Sequence, residues 1–397
     1  MTDTGAARDD GRGIRFDFTE EQDLLRSLAR EFVEKEVKPR AARIDREGRI
    51  PPELLERAKE LGFFGVAFPQ EYGGGGGGET GYCILMEELG RGCGSFAGVI
   101  GAHQGIGAMS IWLAGTEEQK RRWLPDLCAG RKIACYALTE PSGGSDAAMM
   151  RTTAVRRGSR WVLTGDKIWI TNADLADLFV VFAVTDPALR ARGGITAFVL
   201  ERGTPGLTVG PPDEKMGLRA MHSPQIFLDQ AEVPDENVLG APGEGFKVAM
   251  AALDRGRLSL GATVLGSAKE MLDLSVGYAR QRQAFGKALV EHEFIQGYLA
   301  EMAAWIYAME SAVYRTAWMC DRGMRITRES AIVKMLCTER YAEIVDRALQ
   351  IHGGMGYMCE LPIERFYRDE RVYRIFEGTN EIQRIVIARE LARKGGY

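Results

Sequence analysis

From Thr19 to about residue 130 the apolar positions recur at helical spacing. Leu24, Leu25, Leu28, Phe32 and Val33 fall on one helix face, and Thr19-Glu20-Glu21-Gln22 supplies a capped start, with a hydroxyl at the cap and a side-chain acceptor three positions on. Pro51-Pro52 opens another helix that Leu61-Gly62 closes. The six-glycine run Gly73–Gly78 has no Lys-Ser/Thr after it and no long strand before it, so a flexible connector is expected rather than a phosphate loop. From about Arg131 to Gly245 the pattern changes to short β-type runs: Ile133–Leu138, Thr152–Val155, Trp161–Thr164, Phe179–Thr185 and Ile195–Leu200. Turn signals at Arg157-Gly158-Ser159, Asp186-Pro187 and Gly203-Thr204-Pro205 separate them, which predicts a small barrel or sandwich. Helical patterns return over 246–283, 291–321, 328–351 and 380–394, and four long helices with short connections predict a bundle. The expected fold is α+β and multidomain: an N-terminal α-helical domain (1–130), a middle β-barrel or sandwich domain (131–245) and a C-terminal four-helix bundle (246–397).

Composition narrows the function classes. At 397 residues the chain exceeds one small core. A net charge of −4 with no concentrated basic face argues against nucleic acid as a partner. Arg121-Arg122 and Arg156-Arg157 read as solvated surface. The seven cysteines are scattered, without a C-x-x-C pair, so neither a disulfide framework nor a metal site is expected. Met1–Gly13 carries aspartates and no apolar core, which predicts a short disordered tail rather than a signal or transit peptide. No apolar run approaches the ~20 residues a spanning helix requires, so no integral membrane segment and a cytoplasmic location are expected.

Four motifs could carry chemistry. Leu138-Thr139-Glu140-Pro141-Ser142-Gly143-Gly144-Ser145-Asp146 follows a predicted strand; it is either a plain turn or a set of hydroxyl and backbone donors for an anionic or heteroaromatic ligand. Lys167-Ile168-Trp169-Ile170-Thr171-Asn172 places an indole near a hydroxyl, either as a core Trp with a capping Thr or as a ring that stacks on a cofactor. The glycines of Gln350-Ile351-His352-Gly353-Gly354-Met355-Gly356-Tyr357 either stop a helix or admit a pyrophosphate. In Tyr373–Gln383, Asn380 and Gln383 look like a helix start. That leaves Glu377 in the preceding turn, as a surface glutamate or as a carboxylate in a tight pocket between Phe376 and Gly378.

Together these motifs resemble the acyl-CoA dehydrogenase family, from about Phe16 to Arg393. The stretches Thr139–Asp146 and Gln350–Asp369 look like its two signatures. The first departs at Met149, where a small residue is usual, and at Ser142-Gly143. Gly101-Ala102-His103-Gln104 with Ile106-Gly107, Lys215-Met216-Gly217 and the stretch from Gly243 to Met250 are similar to the very-long-chain branch, without its C-terminal extension. The resemblance implies FAD as cofactor, an acyl-CoA as substrate, an electron-transfer flavoprotein as acceptor and a homo-oligomer, tetrameric in relatives.

The resemblance also implies residue roles. Glu377 would take the α-proton while the flavin N5 accepts the β-hydrogen as hydride, leaving a trans-2-enoyl thioester. The thioester oxygen would be met by the Glu377 N–H and a flavin hydroxyl. Some relatives carry the base on the first bundle helix, where this chain has Gly256. Leu138, Thr139, Ser145, Trp169, Ile170 and Thr171 would hold the flavin ring, with Thr171 facing N5. Arg282, Phe285, Gln350, Gly353 and Gly354 would meet the adenine end of a neighbouring subunit's FAD, and Thr379 and Glu381 would also touch the cofactor. Ser145, Asp254, Arg257 and Gly378 would meet the substrate. Gly98 and Ala102 stand where medium-chain relatives have larger polar residues, which predicts a deep pocket and a medium- to long-chain substrate. The alternatives are an acyl-CoA oxidase, a dehydrogenase of carrier-protein thioesters, or a non-catalytic acyl-CoA-binding protein. No G-x-S-x-G elbow supports an α/β hydrolase.

Overall fold

A computed structural model of the chain describes residues 17–396. The start, Met1–Gly13, expected as a tail, lies outside the described residues. The N-terminal region is helical: α1 (Glu20–Phe32), α2 (Lys38–Glu47), α3 (Pro52–Glu60), α4 (Gly78–Gly92), α5 (Gly94–Gly101), α6 (Met109–Ala114) and α7 (Glu117–Cys128). The predicted cap forms, with Gln22 N–H donating to Thr19 Oγ1 at 3.3 Å and Thr19 N–H to Gln22 Oε1 at 3.0 Å.

Two expectations change here. The glycine run is not a loose connector. Gly75, Gly76 and Gly77 donate their N–H groups to the carbonyls of Gly65, Phe68 and Val66 at 2.9, 2.8 and 2.9 Å, so the segment is laced to the preceding turn. A Cβ at Gly74 would overlap the Phe68 carbonyl, so this packing needs glycine for close approach. A π-helical segment, Ala102–Ala108, joins α5 to α6, and the resulting helix Gly94–Ala114 is long and apolar enough, with mean hydropathy 1.2, to cross a membrane. The sequence reading missed this length because glycine and His103-Gln104 interrupt the apolar positions. Those polar groups are satisfied inside the protein: His103 Nε2 faces the Leu127 carbonyl at 3.1 Å, and Gln104 Nε2 donates to the Phe63 carbonyl at 3.1 Å. With 67% of its apolar window buried, this is a core helix.

The middle region is one eight-stranded sheet. Its strands are β1 (Ala134–Ala137), β2 (Thr153–Arg157), β3 (Arg160–Lys167), β4 (Leu178–Val184), β5 (Ile195–Glu201), β6 (Leu207–Val209), β7 (Ile226–Pro234) and β8 (Val238–Leu239). The order is β6-β7-β3-β2-β4-β5-β8, with β1 parallel to β4, and β2 meets β4 at the single pair Thr153↔Val184. The nine-residue β7 was not among the predicted strands. Gln230, at φ +52, interrupts its alternation, and its ladder with β3 slips between Leu163 and Gly165.

The C-terminal region holds α8 (Gly245–Gln281), a small hairpin of β9 (Gln283–Ala284) and β10 (Lys287–Ala288), α9 (Glu293–Asp321) and α10 (Thr327–His352). The short α11 (Gly354–Tyr357) and α12 (Ile363–Tyr373), then α13 (Asn380–Lys394), complete it. α12 adds a helix to the four expected. One apolar cluster joins α1–α5 to α8, α9 and α10, so the two helical regions share a core. A second cluster lies between α6, α7 and one face of the sheet, and takes in Val248, Ala249, Ala252 and Leu253 of α8. Further along the same helix, Leu258 and its successors enter the first cluster. Asp254–Arg257 therefore stands at the seam between the two cores.

Candidate active site

Glu377 lies in the turn between α12 and α13, where Thr379 caps α13 by accepting from the Ile382 N–H at 3.3 Å. Its φ is +56, and Gly378 follows at +86. A non-glycine residue held there stores on the order of 1–3 kcal/mol of strain, which persists only where neighbours over-determine it. Here Arg257 Nε and Gln383 Nε2 each donate to the Glu377 carbonyl at 3.2 Å, and Gln383 Nε2 also reaches the Gly378 carbonyl at 2.9 Å. The residue as a whole is half-buried, yet its carboxyl Oε2 is shut from solvent and has no hydrogen-bond partner. Burial pushes its pKa up to about 7 against the opposing pull of Arg257 and Lys334.

Space for this carboxyl comes from α8. A Cβ at Gly256 would collide with Glu377 Oε2 and stand 2.7 Å from Ile106 Cγ2. The position where the resemblance puts a base in some relatives is thus the clearance for the Glu377 carboxyl. On either side, Arg257 Nη1 pairs with Asp254 at 3.0 Å, and Asp254 also accepts from Thr327 Oγ1 at 2.6 Å. Between Gly94 and Ile111, the residues left partly open are Gly98, Gly101, Ala102 and Ile106, with buried residues around them. Of these, Ile106 lies beside the Gly256 gap that holds the Glu377 carboxyl.

The two predicted ring-binding turns are tied together. The Ile168 N–H donates to the Thr139 carbonyl at 3.0 Å. Lys167, fully buried, donates to the Leu138 carbonyl at 3.1 Å and to Glu140 Oε1 at 2.7 Å. Glu140 also accepts from the N–H groups of Arg151 and Thr152 at 2.5 and 2.9 Å. Burial would raise the Glu140 pKa, but Lys167 and these donors bring it down to about 2. The pair was within the quoted motifs without a role assigned to it; a Lys and a Glu far apart in sequence give no signal of pairing.

Trp169, at φ +58, turns its indole outward at 63% exposure, while Ile170 is buried. Thr171 Oγ1 lies 3.1 Å from Ser223 Oγ, a hydroxyl the sequence reading missed. Ser145 is exposed. An open indole face beside several hydroxyls suits a flavin ring, with its flat apolar face and polar edge.

The adenine-end set is elsewhere. Arg282 caps α8 some 25 residues beyond Arg257, about 37 Å along the helix at ~1.5 Å per residue. Phe285, at φ +52, is 98% exposed, Gln350 is exposed, and Cβ atoms at Gly353 and Gly354 would meet nothing within 4 Å. Rings of Tyr278 and His352, 4.4 Å apart, join the ends of α8 and α10 there. The structure thus brings Glu377, Gly378, Asp254 and Arg257 together, and Thr139 with Trp169–Thr171, but keeps Arg282, Phe285, Gln350, Gly353 and Gly354 apart from Arg257. Glu381 is exposed on α13.

Comparisons with known proteins place the chain as a whole. Profiles of the acyl-CoA dehydrogenase N-terminal, middle and C-terminal domains match residues 19–131, 135–231 and 243–392. The probable acyl-CoA dehydrogenase YngJ of Bacillus subtilis (strain 168) is 40% identical over 380 residues, 96% of this chain and 100% of that protein. The mitochondrial short-chain specific acyl-CoA dehydrogenase of Bos taurus is 41% identical over 374 residues, 94% of this chain and 90% of that one. The solved structure of butyryl-CoA dehydrogenase from Megasphaera elsdenii matches with a TM-score of 0.93 at 38% identity, over 96% of this chain and 100% of that one.

Proposed function

The chain belongs to the acyl-CoA dehydrogenase family of FAD enzymes, and from that premise we propose that it desaturates an acyl-CoA between Cα and Cβ, with Glu377 taking the α-proton. The observation that carries this reading is the Glu377 carboxyl, enclosed, without a hydrogen-bond partner on Oε2, and given its space by Gly256. FAD, held by Leu138, Thr139, Ser145 and Trp169–Thr171, would supply the acceptor for the β-hydrogen. Arg257 fixes the Glu377 carbonyl and leaves its N–H to meet the thioester oxygen, where negative charge develops as the proton leaves. Ser145, Asp254 and Gly378 complete the thioester site. The base must be ionised to accept, so kcat/KM should rise as pH increases through about 7 and level off above it. A profile flat across that range would remove Glu377 from the role.

Separation of the adenine-end residues from Arg257 favours an oligomer in which Arg282, Phe285, Gln350, Gly353 and Gly354 serve a neighbour's FAD, with Thr379 and Glu381 nearby. A tetramer with an electron-transfer flavoprotein as acceptor completes the proposal, as does the division of the chain near 130 and 245.

For chain length, the expected depth at Gly98 is taken up from the other side. A Cβ on Gly98 would overlap Met221 Sδ and lie 3.2 Å from its Cγ, and Lys215 Nζ holds the Met221 carbonyl. The small residue therefore accommodates a methionine rather than a longer substrate. With the short-chain names of relatives, this supports short acyl groups over the medium to long ones expected from Gly98 and Ala102. Met221→Ala is expected to extend turnover by two to four carbons at little loss on butyryl-CoA; an unchanged chain-length profile would refute the plug.

The whole reading is tested by anaerobic titration of the purified protein with acyl-CoAs of four to eighteen carbons, following bleaching of the flavin band. Bleaching strongest at four to six carbons supports it. Flavin that no acyl-CoA bleaches would refute it, and rapid reoxidation by oxygen would point to an oxidase.

A further inference from the structure

Lys334 is a buried cation that the proposed chemistry does not use. It sits on α10, fully buried, and donates to Asn380 Oδ1 at 2.7 Å. Among the described residues it makes no ion pair, although an ammonium enclosed without a compensating anion is strongly disfavoured. Its surroundings show where that compensation comes from. Glu377 in the turn is the largest favourable charge acting on it, with Glu381 of α13 and Glu339 of α10 behind, while Arg257 of α8 opposes it. Seen from Glu377, the cations are Arg257 and Lys334, and the two tyrosines that feel its charge are Tyr82 of α4 and Tyr136 of β1.

The same lysine also acts mechanically. Asn380 is the first residue of α13, three beyond Glu377, and its side chain is bound on every polar atom. Oδ1 accepts from Lys334, and Nδ2 donates to Thr338 Oγ1 and Glu339 Oε1, both at 3.0 Å. The Asn380 N–H closes the turn by donating to the Arg374 carbonyl at 3.1 Å. The strained Glu377-Gly378 turn is thus fastened to α10 at one end and to Arg257 of α8 at the other.

We propose that Lys334 is a positioning residue for the proton transfer: through Asn380 it anchors the turn that carries Glu377, and its charge keeps the Glu377 carboxyl in the ionised, proton-accepting form. Arg257 contributes the larger charge and holds the Glu377 carbonyl, but Asp254 already pairs with its guanidinium, whereas Lys334 makes no ion pair among the described residues. Burial presses the Lys334 ammonium down to about 7, so its charge is present in full below that pH and fades above it. The lysine therefore favours the ionised base most on the acid side, where protonation would otherwise silence it. This rests on the reading of Glu377 as the base.

The test follows the Glu377 carboxyl itself, by infrared difference spectroscopy of the holoenzyme without substrate, across pH, with Glu377→Gln identifying the protonated C=O band. Turnover is measured in parallel. Lys334→Met is expected to move the carboxyl midpoint up by about one pH unit, and to lower turnover at pH 7 about fivefold while sparing it at high pH. Lys334→Arg, which keeps the charge, should hold the midpoint near the wild-type value. Asn380→Ser, which cuts the anchor but leaves the charge, should lower kcat without moving the midpoint. A midpoint unmoved in Lys334→Met, or moved as far in Lys334→Arg, overturns the proposal. Should Lys334→Met fail to fold, Lys334→Gln carries the same readout. If the midpoint moves in Lys334→Met while Glu377→Gln keeps its turnover, it is the assignment of the base that fails.

Discussion

Glu377→Gln is expected to lower turnover by about 10²–10⁴-fold while making the protein harder to unfold at pH 8. The first effect follows from removing the carboxyl held against the Gly256 gap, the proposed base. The second follows from the burial of the same carboxyl. Its folded pKa, about 7, lies above the ordinary value of 4.5, so the folded state holds the proton more tightly than the unfolded chain does. For an acid raised in this way, stability is greatest below pH 4.5. It declines as pH rises through the window from 4.5 to about 7, then stays low. That rise corresponds to an upper limit of roughly 3.5 kcal/mol at ~1.4 kcal/mol per pH unit. Gln resembles the neutral acid in shape and never ionises. Its gain should therefore appear at pH 8 and vanish near pH 5, with the loss of charge facing Lys334 and Arg257 trimming it. Denaturant unfolding at the two pH values checks this. Equal stability of both proteins at pH 8 would mean that the carboxyl is better solvated than its enclosure indicates.

Much of the fold was legible because periodicity reports which face of an element is covered. The long helices begin and end within a few residues of where the apolar spacing puts them, and the Thr19 cap was readable from four residues. β7 was not, because a bulge breaks the alternation on which strand recognition depends. The glycine run was misread for a related reason: glycine at a close backbone approach and glycine in a loose linker are identical in sequence. In the candidate site, the motifs pointed to Glu377, Trp169 and Thr171, and the structure adds contacts that no spacing could show. Trp169, Phe285 and Glu377 all sit at positive φ, where side chains of their size are rare, and at Glu377 the conformation is held by Arg257 and Gln383 on its carbonyl. Gly256 and Gly98 both looked like missing side chains. One is the room for the Glu377 carboxyl and the other is filled by Met221, and only the packing of distant segments shows what fills each.

Glu140→Ala should be the most destabilising single change in the middle region, costing about 3–5 kcal/mol, and it should loosen flavin retention out of proportion to its distance from the ring. Glu140 is 4% exposed and Lys167 is fully buried. Removing the carboxylate leaves an ammonium enclosed with only the Leu138 carbonyl and, at 3.9 Å, the Met150 sulfur. It also strips the acceptor from the Arg151 and Thr152 N–H groups, which fix the start of β2. Because Lys167 reaches back to the strand end at Leu138, this one network sets the separation of the Thr139–Ser145 turn from the Trp169–Thr171 turn. Glu140→Gln keeps some acceptors and should fall between. The decisive comparison is the double variant Glu140→Ala with Lys167→Met. If the damage comes from an orphaned buried charge, the double variant is more stable than Glu140→Ala alone, because no unpaired ammonium remains. Its flavin affinity should nonetheless stay weakened, since the two turns have lost their common tie. If the double variant is instead less stable than either single change, with losses that add, then packing rather than charge holds this corner, and the turns are positioned mainly by the Ile168–Thr139 backbone hydrogen bond.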